Sequence, residues 1–116
     1  MMNEAVVQLQ FRAENRDIFE AIRAGIKKVE TRAATEKFRD IQSGDEVMLI
    51  CEEDAFTKTV KRAEIFSSIS ALLKKYKPED INPRRRTAKE LRDMYHSFPD
   101  YEEKIEKHGL IALELE

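Results

Sequence analysis

The sequence has a single cysteine, Cys51, so no intramolecular disulfide can form. Cys51 ends the apolar run Val47-Met48-Leu49-Ile50-Cys51, where it reads as a buried structural thiol rather than a nucleophile. That run is the longest in the chain, and it falls far short of the roughly 20 apolar residues needed to cross a bilayer. The N-terminus carries Glu4 and lacks the basic-then-apolar pattern of an export signal. With neither disulfides nor an export signal, the expected compartment is the cytoplasm. Internal repeats, low-complexity segments, phosphate-cradling glycine loops and serine or cysteine nucleophile motifs are also missing. His96 and His108 have no partner at metal-ligand spacing, so neither a metal site nor a cofactor is expected.

A dominant charge is lacking too. Charged residues make up 38% of the chain, but 21 Lys and Arg nearly balance 23 Asp and Glu, leaving a net charge of -2. A generally sticky basic protein is excluded. A polyanion would have to use a local basic face. At 116 residues and 41% hydrophobic, the chain is one domain, residues 1–116, with material for one compact core.

What is present alternates between two periods. Val7, Leu9 and Phe11 mark a half-buried strand. Asp17, as N-cap, and Glu20 open a short helix with Ile18, Phe19 and Ile22 on its apolar side, and Gly25 closes it. Lys28 to Arg32 reads as a strand with Lys28, Glu30 and Arg32 on one face and Val29 and Thr31 on the other. A polar loop from Ala33 to Ile41 and a turn at Gly44 lead to a buried strand from Glu46 to Glu52. A hairpin at Glu53 to Ala55 precedes a strand from Phe56 to Ile65, whose alternation slips between Val60 and Ala63 and predicts a bulge.

The second half is helical. Ile69, Leu72, Leu73 and Tyr76 follow a Ser68 cap. Pro78 and Pro83 bracket a loop that ends in Arg84-Arg85-Arg86. Thr87 to Glu90 is a capping box before Leu91, Met94, Tyr95 and Phe98, and Asp100 starts a last short helix that Gly109 ends. Ile111, Leu113 and Leu115 share one face of a closing strand. The fold class is α+β, with a returning final strand completing a barrel-like sheet.

The segment Gly25-Ile-Lys27-Lys28-Val-Glu30-Thr-Arg32 resembles the ASCH signature, glycine-x-lysine-x-x-glutamate-x-arginine. Glu36 to Arg39, the Gly44-Asp45 turn and the ending His108 to Glu114 are similar to the family's basic loop, turn and final strand, so the match spans nearly the whole chain. The resemblance implies a PUA-like mixed β-barrel flanked by helices, with a cleft beside the signature strand. It also implies an association with RNA.

On that reading, Lys27 projects its ammonium into the cleft as a mobile charge. Arg32 grips a phosphate, and Glu30 steadies Arg32 or accepts from a base. A structural ion pair is the competing reading of the same residues. Lys37 and Arg39 extend the positive rim, and Arg84, Arg85 and Arg86 offer further phosphate contacts unless they are simply solvated. Tyr76, Tyr95, Phe98 and Tyr101 read as core residues. The expected partner is RNA or a nucleotide.

Two alternatives come from other classes. One is an enzyme acting on RNA or a modified nucleoside, amidohydrolase- or ribonuclease-like, with Lys27 and Glu30 as candidate catalytic groups. The acetylcytidine amidohydrolase branch of the family places a threonine nucleophile where this chain has Glu30, and no later glutamate corresponds near Pro83 to Arg86. The other alternative is a protein-interaction module, which a large exposed apolar patch would favour.

Overall fold

The computed structural model describes residues 6–116. Glu4, on which the reading of no export signal rests, lies outside them. Five strands form one curled, mixed sheet, a half-barrel, in the order β1-β3-β4-β5-β2. They are β1 (Val7–Phe11), β2 (Val29–Ala33), β3 (Glu46–Cys51), β4 (Asp54–Phe66) and β5 (Leu110–Leu115). β1 pairs with β3 in parallel, and the other pairings are antiparallel. A parallel pair needs a long crossover, here supplied by α1 (Arg16–Arg23) and β2. β1 and β2 are therefore the two ends of the sheet.

β5 shows why the sheet is closed in from both sides. Its Ile111, Leu113 and Leu115 join Leu9, Val47, Leu49, Val60 and the α1 residues Phe19 and Ile22 in one core. Its Leu110 and Ala112 join a second core with residues of four helices. These are α2 (Ile69–Leu73), α3 (Pro78–Ile81), α4 (Ala88–His96) and α5 (Tyr101–His108). Phe19, Leu49, Leu113, Leu72 and Leu91 are fully buried, each stabilising the fold by about 1.5–3 kcal/mol. Cys51 is also fully buried, as a small apolar residue would be.

Local signals set most boundaries. The β3–β4 hairpin is tighter than expected. Cys51 pairs with Asp54, and Glu52 takes the left-handed conformation at φ 54°. The slip in β4 is a true irregularity, with the register shifting between Val60 and Arg62. The capping box at Thr87 forms reciprocally with Glu90, and Ser68 caps α2 through Ala71. Gly109 has φ +79°, and a Cβ there would sit 2.6 Å from the Phe66 carbonyl oxygen, so the α5–β5 junction admits glycine alone.

Two expectations need correction. Asp17 lies inside α1 rather than capping it. A 3-10 turn at Ala13–Asn15 leads into the helix, and Glu20 instead pairs with Arg16 at 3.1 Å. The segment between Pro78 and Pro83 is not all loop, because Pro78–Ile81 makes one helical turn with Pro78 at its start. β2 keeps the two faces its alternation predicts, with Glu30 and Arg32 on one and Val29 and Thr31 on the other, and both Val29 and Glu30 are buried. Among the described residues no helix is long and apolar enough to cross a membrane.

Candidate functional site

Because β1 and β2 end the sheet without meeting, a cleft of about 890 Å³ opens between them, walled by the Asn82–Arg85 turn and the α4–α5 corner. Arg32 spans the gap. Its Nη2 donates to the Gln10 carbonyl of β1 at 3.0 Å, and its guanidinium lies 4.9 Å from the Phe11 ring centroid. The free edge of β2 is met by side chains. The Val29 carbonyl accepts from Lys27 Nζ, and the Ala33 amide donates to the Tyr101 hydroxyl at 2.8 Å. Strand alternation puts the backbone N–H and C=O of Thr31 on that same edge.

Lys27 is not a mobile charge in the cleft. Both Ile26 N and Lys27 N donate to the Ala21 carbonyl, at 2.9 and 3.0 Å, which turns the chain sharply after α1 and directs Lys27 inward. Only 3% of Lys27 is exposed. Its ammonium donates to the carbonyls of Val29 and Ile81 and pairs with Glu30 Oε1 at 3.1 Å. Three acceptors match the three N–H donors of the protonated amine and exceed the two of the neutral form, so this geometry holds the ammonium. Burial pulls its pKa below the usual lysine range, and Glu30 opposes that shift.

Glu30 is the hinge of the group. Its Oε2 accepts from Arg32 Nε at 2.9 Å while Oε1 faces Lys27. Burial alone would raise its pKa. Lys27 and Arg32 together outweigh burial and hold the carboxyl below the usual carboxylate range. With both oxygens engaged by cations, Glu30 is poorly placed to take a proton from a substrate, and Lys27 has no lone pair to offer. Arg32 differs from its neighbours. Its side chain is 20% exposed, it lines the cleft, and among the described residues its Nη1 has no partner.

The arginine loop divides three ways. Arg84 lines the cleft and pairs with Asp17 at 3.3 Å. Arg85 also lines the cleft, and its amide bonds to the Asn82 carbonyl in a tight turn. Its Nε is buried without a hydrogen-bond partner among the described residues. An unmet buried donor costs about 1–3 kcal/mol, more when charged, and is uncommon in folded proteins. Arg86 is exposed and outside the cleft lining, as are Lys37 and Arg39, so these three do not extend the rim. Lys37 instead lies against the Phe38 ring at 5.3 Å.

The aromatic wall was not expected from the sequence. Tyr95 is core, 1% exposed, with its hydroxyl hydrogen-bonded to Thr31 Oγ1, and burial raises its pKa so that it stays a neutral phenol. Phe98 and Tyr101, however, line the cleft edge to face at 5.2 Å, and Phe98 is 37% exposed. The signal was available in Pro99. It ends α4 at the position that leaves Phe98 beyond the last helical turn rather than on the buried stripe. Among the described residues no group of three His, Cys, Asp or Glu side chains could hold a metal ion.

Two solved structures share this fold over nearly all of both chains. The crystal structure of hypothetical protein PH0355 is 30% identical, covers 94% of this chain and 95% of its own, and superposes with a TM-score of 0.75. The solution NMR structure of PF0455 from Pyrococcus furiosus is 29% identical, with 94% and 96% covered and a TM-score of 0.71. No family model and no curated protein matches the chain.

Proposed function

For a chain that belongs to the same family as hypothetical protein PH0355, we propose the function of a cytoplasmic, ASCH-type, PUA-like domain that binds single-stranded RNA in the cleft between β1 and β2. One observation carries the reading: the cleft joins two cations with unused donors among the described residues, Arg32 and Arg85, to an aromatic edge made by the exposed Phe98 and the half-buried Tyr101. Phosphate contacts position a nucleic acid, and unstacked bases pack on aromatic rings. The cleft volume of about 890 Å³ is that of a small-ligand site and suits one or two splayed nucleotides, not a duplex. In this role Lys27 and Glu30 are positioning residues that fix Arg32.

The test is a fluorescence-anisotropy titration of labelled single-stranded and hairpin RNA at two salt concentrations. The expected result is saturable binding that favours unpaired RNA, with log affinity falling by about 0.7 per phosphate contact for each tenfold rise in salt. No binding at micromolar protein in low salt would overturn the reading.

A further inference from the structure

We propose that the cleft is specific for a phosphate monoester, held by Arg85 together with Arg32. That phosphate belongs either to a free mononucleotide or to the phosphorylated end of an RNA, an assignment that rests on the nucleic-acid reading above. The first ground is charge. In the signature, Lys27 and Arg32 against Glu30 leave one positive charge. Arg85 adds a second that makes no ion pair with a carboxylate among the described residues. Glu90 and Asp93 feel its charge, but their oxygens are engaged elsewhere: Glu90 accepts from the amides of Arg86 and Thr87, and Asp93 pairs with Lys89 at 2.8 Å. The other charges lining the cleft offset each other. Arg12 pairs with Glu14, Arg84 with Asp17, and Lys104 and Asp100 carry opposite signs. Two positive charges match a monoester, which carries about -1.5 to -2 at neutral pH, better than an internal phosphodiester with one.

The second ground is donor geometry. Arg85 lines the cleft and its Nε has no hydrogen-bond partner among the described residues, so a small turn of this half-buried side chain presents that donor to an acceptor in the cleft. A guanidinium whose Nε is free can offer the parallel pair of N–H bonds that grips two phosphate oxygens. The unused Nη1 of Arg32 supplies a donor for a third oxygen. A monoester has three terminal oxygens and an internal diester only two. Phe98 and Tyr101 then provide an apolar surface for the attached base.

The experiment has two arms. Calorimetry compares adenosine, adenosine 5′-monophosphate and inorganic phosphate. Anisotropy compares one labelled oligoribonucleotide bearing either a phosphate or a hydroxyl at its 5′ end, and the same at its 3′ end. A preference of at least about tenfold for the phosphorylated form is expected in one arm or both, as a two-bond charged contact implies. Arg85→Ala removes the preference, and Arg85→Lys, which keeps the charge without the fork, restores only part of it. Preference in the calorimetric arm with no RNA binding in the other identifies a free nucleotide and sinks the RNA reading while the monoester site stands. RNA that binds equally well with either end, with no preference for the monophosphate over adenosine, overturns the monoester site and leaves the RNA reading intact. Should Arg85→Ala fail to fold, the loss of preference is read from Arg85→Lys, and an unchanged preference there overturns the assignment to Arg85.

Discussion

Lys27, Glu30 and Arg32 hold one another, whereas Arg85 is held by no side chain among the described residues. Both groups line the same cleft, and both come from short, charge-dense stretches of sequence. In the signature, the carboxylate sits between two cations and the lysine finds two carbonyls, one of them 54 residues away at Ile81. That arrangement ties α3 to β2 and aims Arg32. The arginine loop does the opposite, leaving a buried donor without a hydrogen-bond partner among the described residues. A charge that is fully met builds the fold, and a charge left unmet marks where something else binds.

Lys27→Met breaks the first half of that contrast hardest. It leaves Glu30 buried with one cation fewer and two carbonyls without their donor, so a loss of about 3–5 kcal/mol is expected. Urea unfolding followed by circular dichroism measures it. A loss under about 1 kcal/mol, as for an ordinary surface pair, would mean that the buried group contributes little to the fold. Glu30→Gln keeps the shape and one acceptor oxygen but loses the negative charge and one charged hydrogen bond, with an expected cost of about 1.5–3 kcal/mol at neutral pH.

The same variant carries a pH signature. The Glu30 pKa is lower in the folded protein than in the unfolded chain, so its contribution is fully present above the ordinary carboxylate value of about 4.3. It is lost as pH falls through the lowered folded value. The stability gap between the parent and Glu30→Gln is therefore expected to narrow in strong acid, read from urea midpoints across that range. A gap that stays constant would show that the carboxyl is not perturbed.

At the small end, Lys37→Ala and Arg39→Ala change neither stability, within about 0.5 kcal/mol, nor RNA affinity, because both side chains are exposed and outside the cleft. A marked loss of affinity in either would extend the binding surface beyond the β1–β2 gap.

Much of this fold could be read from the chain wherever one residue type does one local job. The alternation of Val7, Leu9 and Phe11, the Thr87–Glu90 capping box, the Gly109 stop and the slip near Val60 each produced the element expected. Pro78–Ile81 was missed because a single turn is too short to show a period. The two faces of β2 were legible, with Glu30 and Arg32 on one and Val29 and Thr31 on the other, but the burial of Glu30 was not, because it depends on the fold around the strand. The candidate site was legible as a set of residue types but not as a set of roles. Lys27 finds its acceptor at Ile81 through the tertiary fold, and Phe98 reaches the cleft through a helix end, neither of which is encoded in local spacing.

The contrast between the two charge groups is tested most directly on one protein, Arg85→Ala, by two readings: its urea midpoint and its anisotropy titration with single-stranded RNA. A midpoint no lower than the parent's, as removal of an unmet buried donor implies, together with at least about tenfold weaker binding is the expected result. Unchanged RNA affinity in a protein that is equally stable would contradict the account, and would show that the unmet arginine of this cleft binds no ligand.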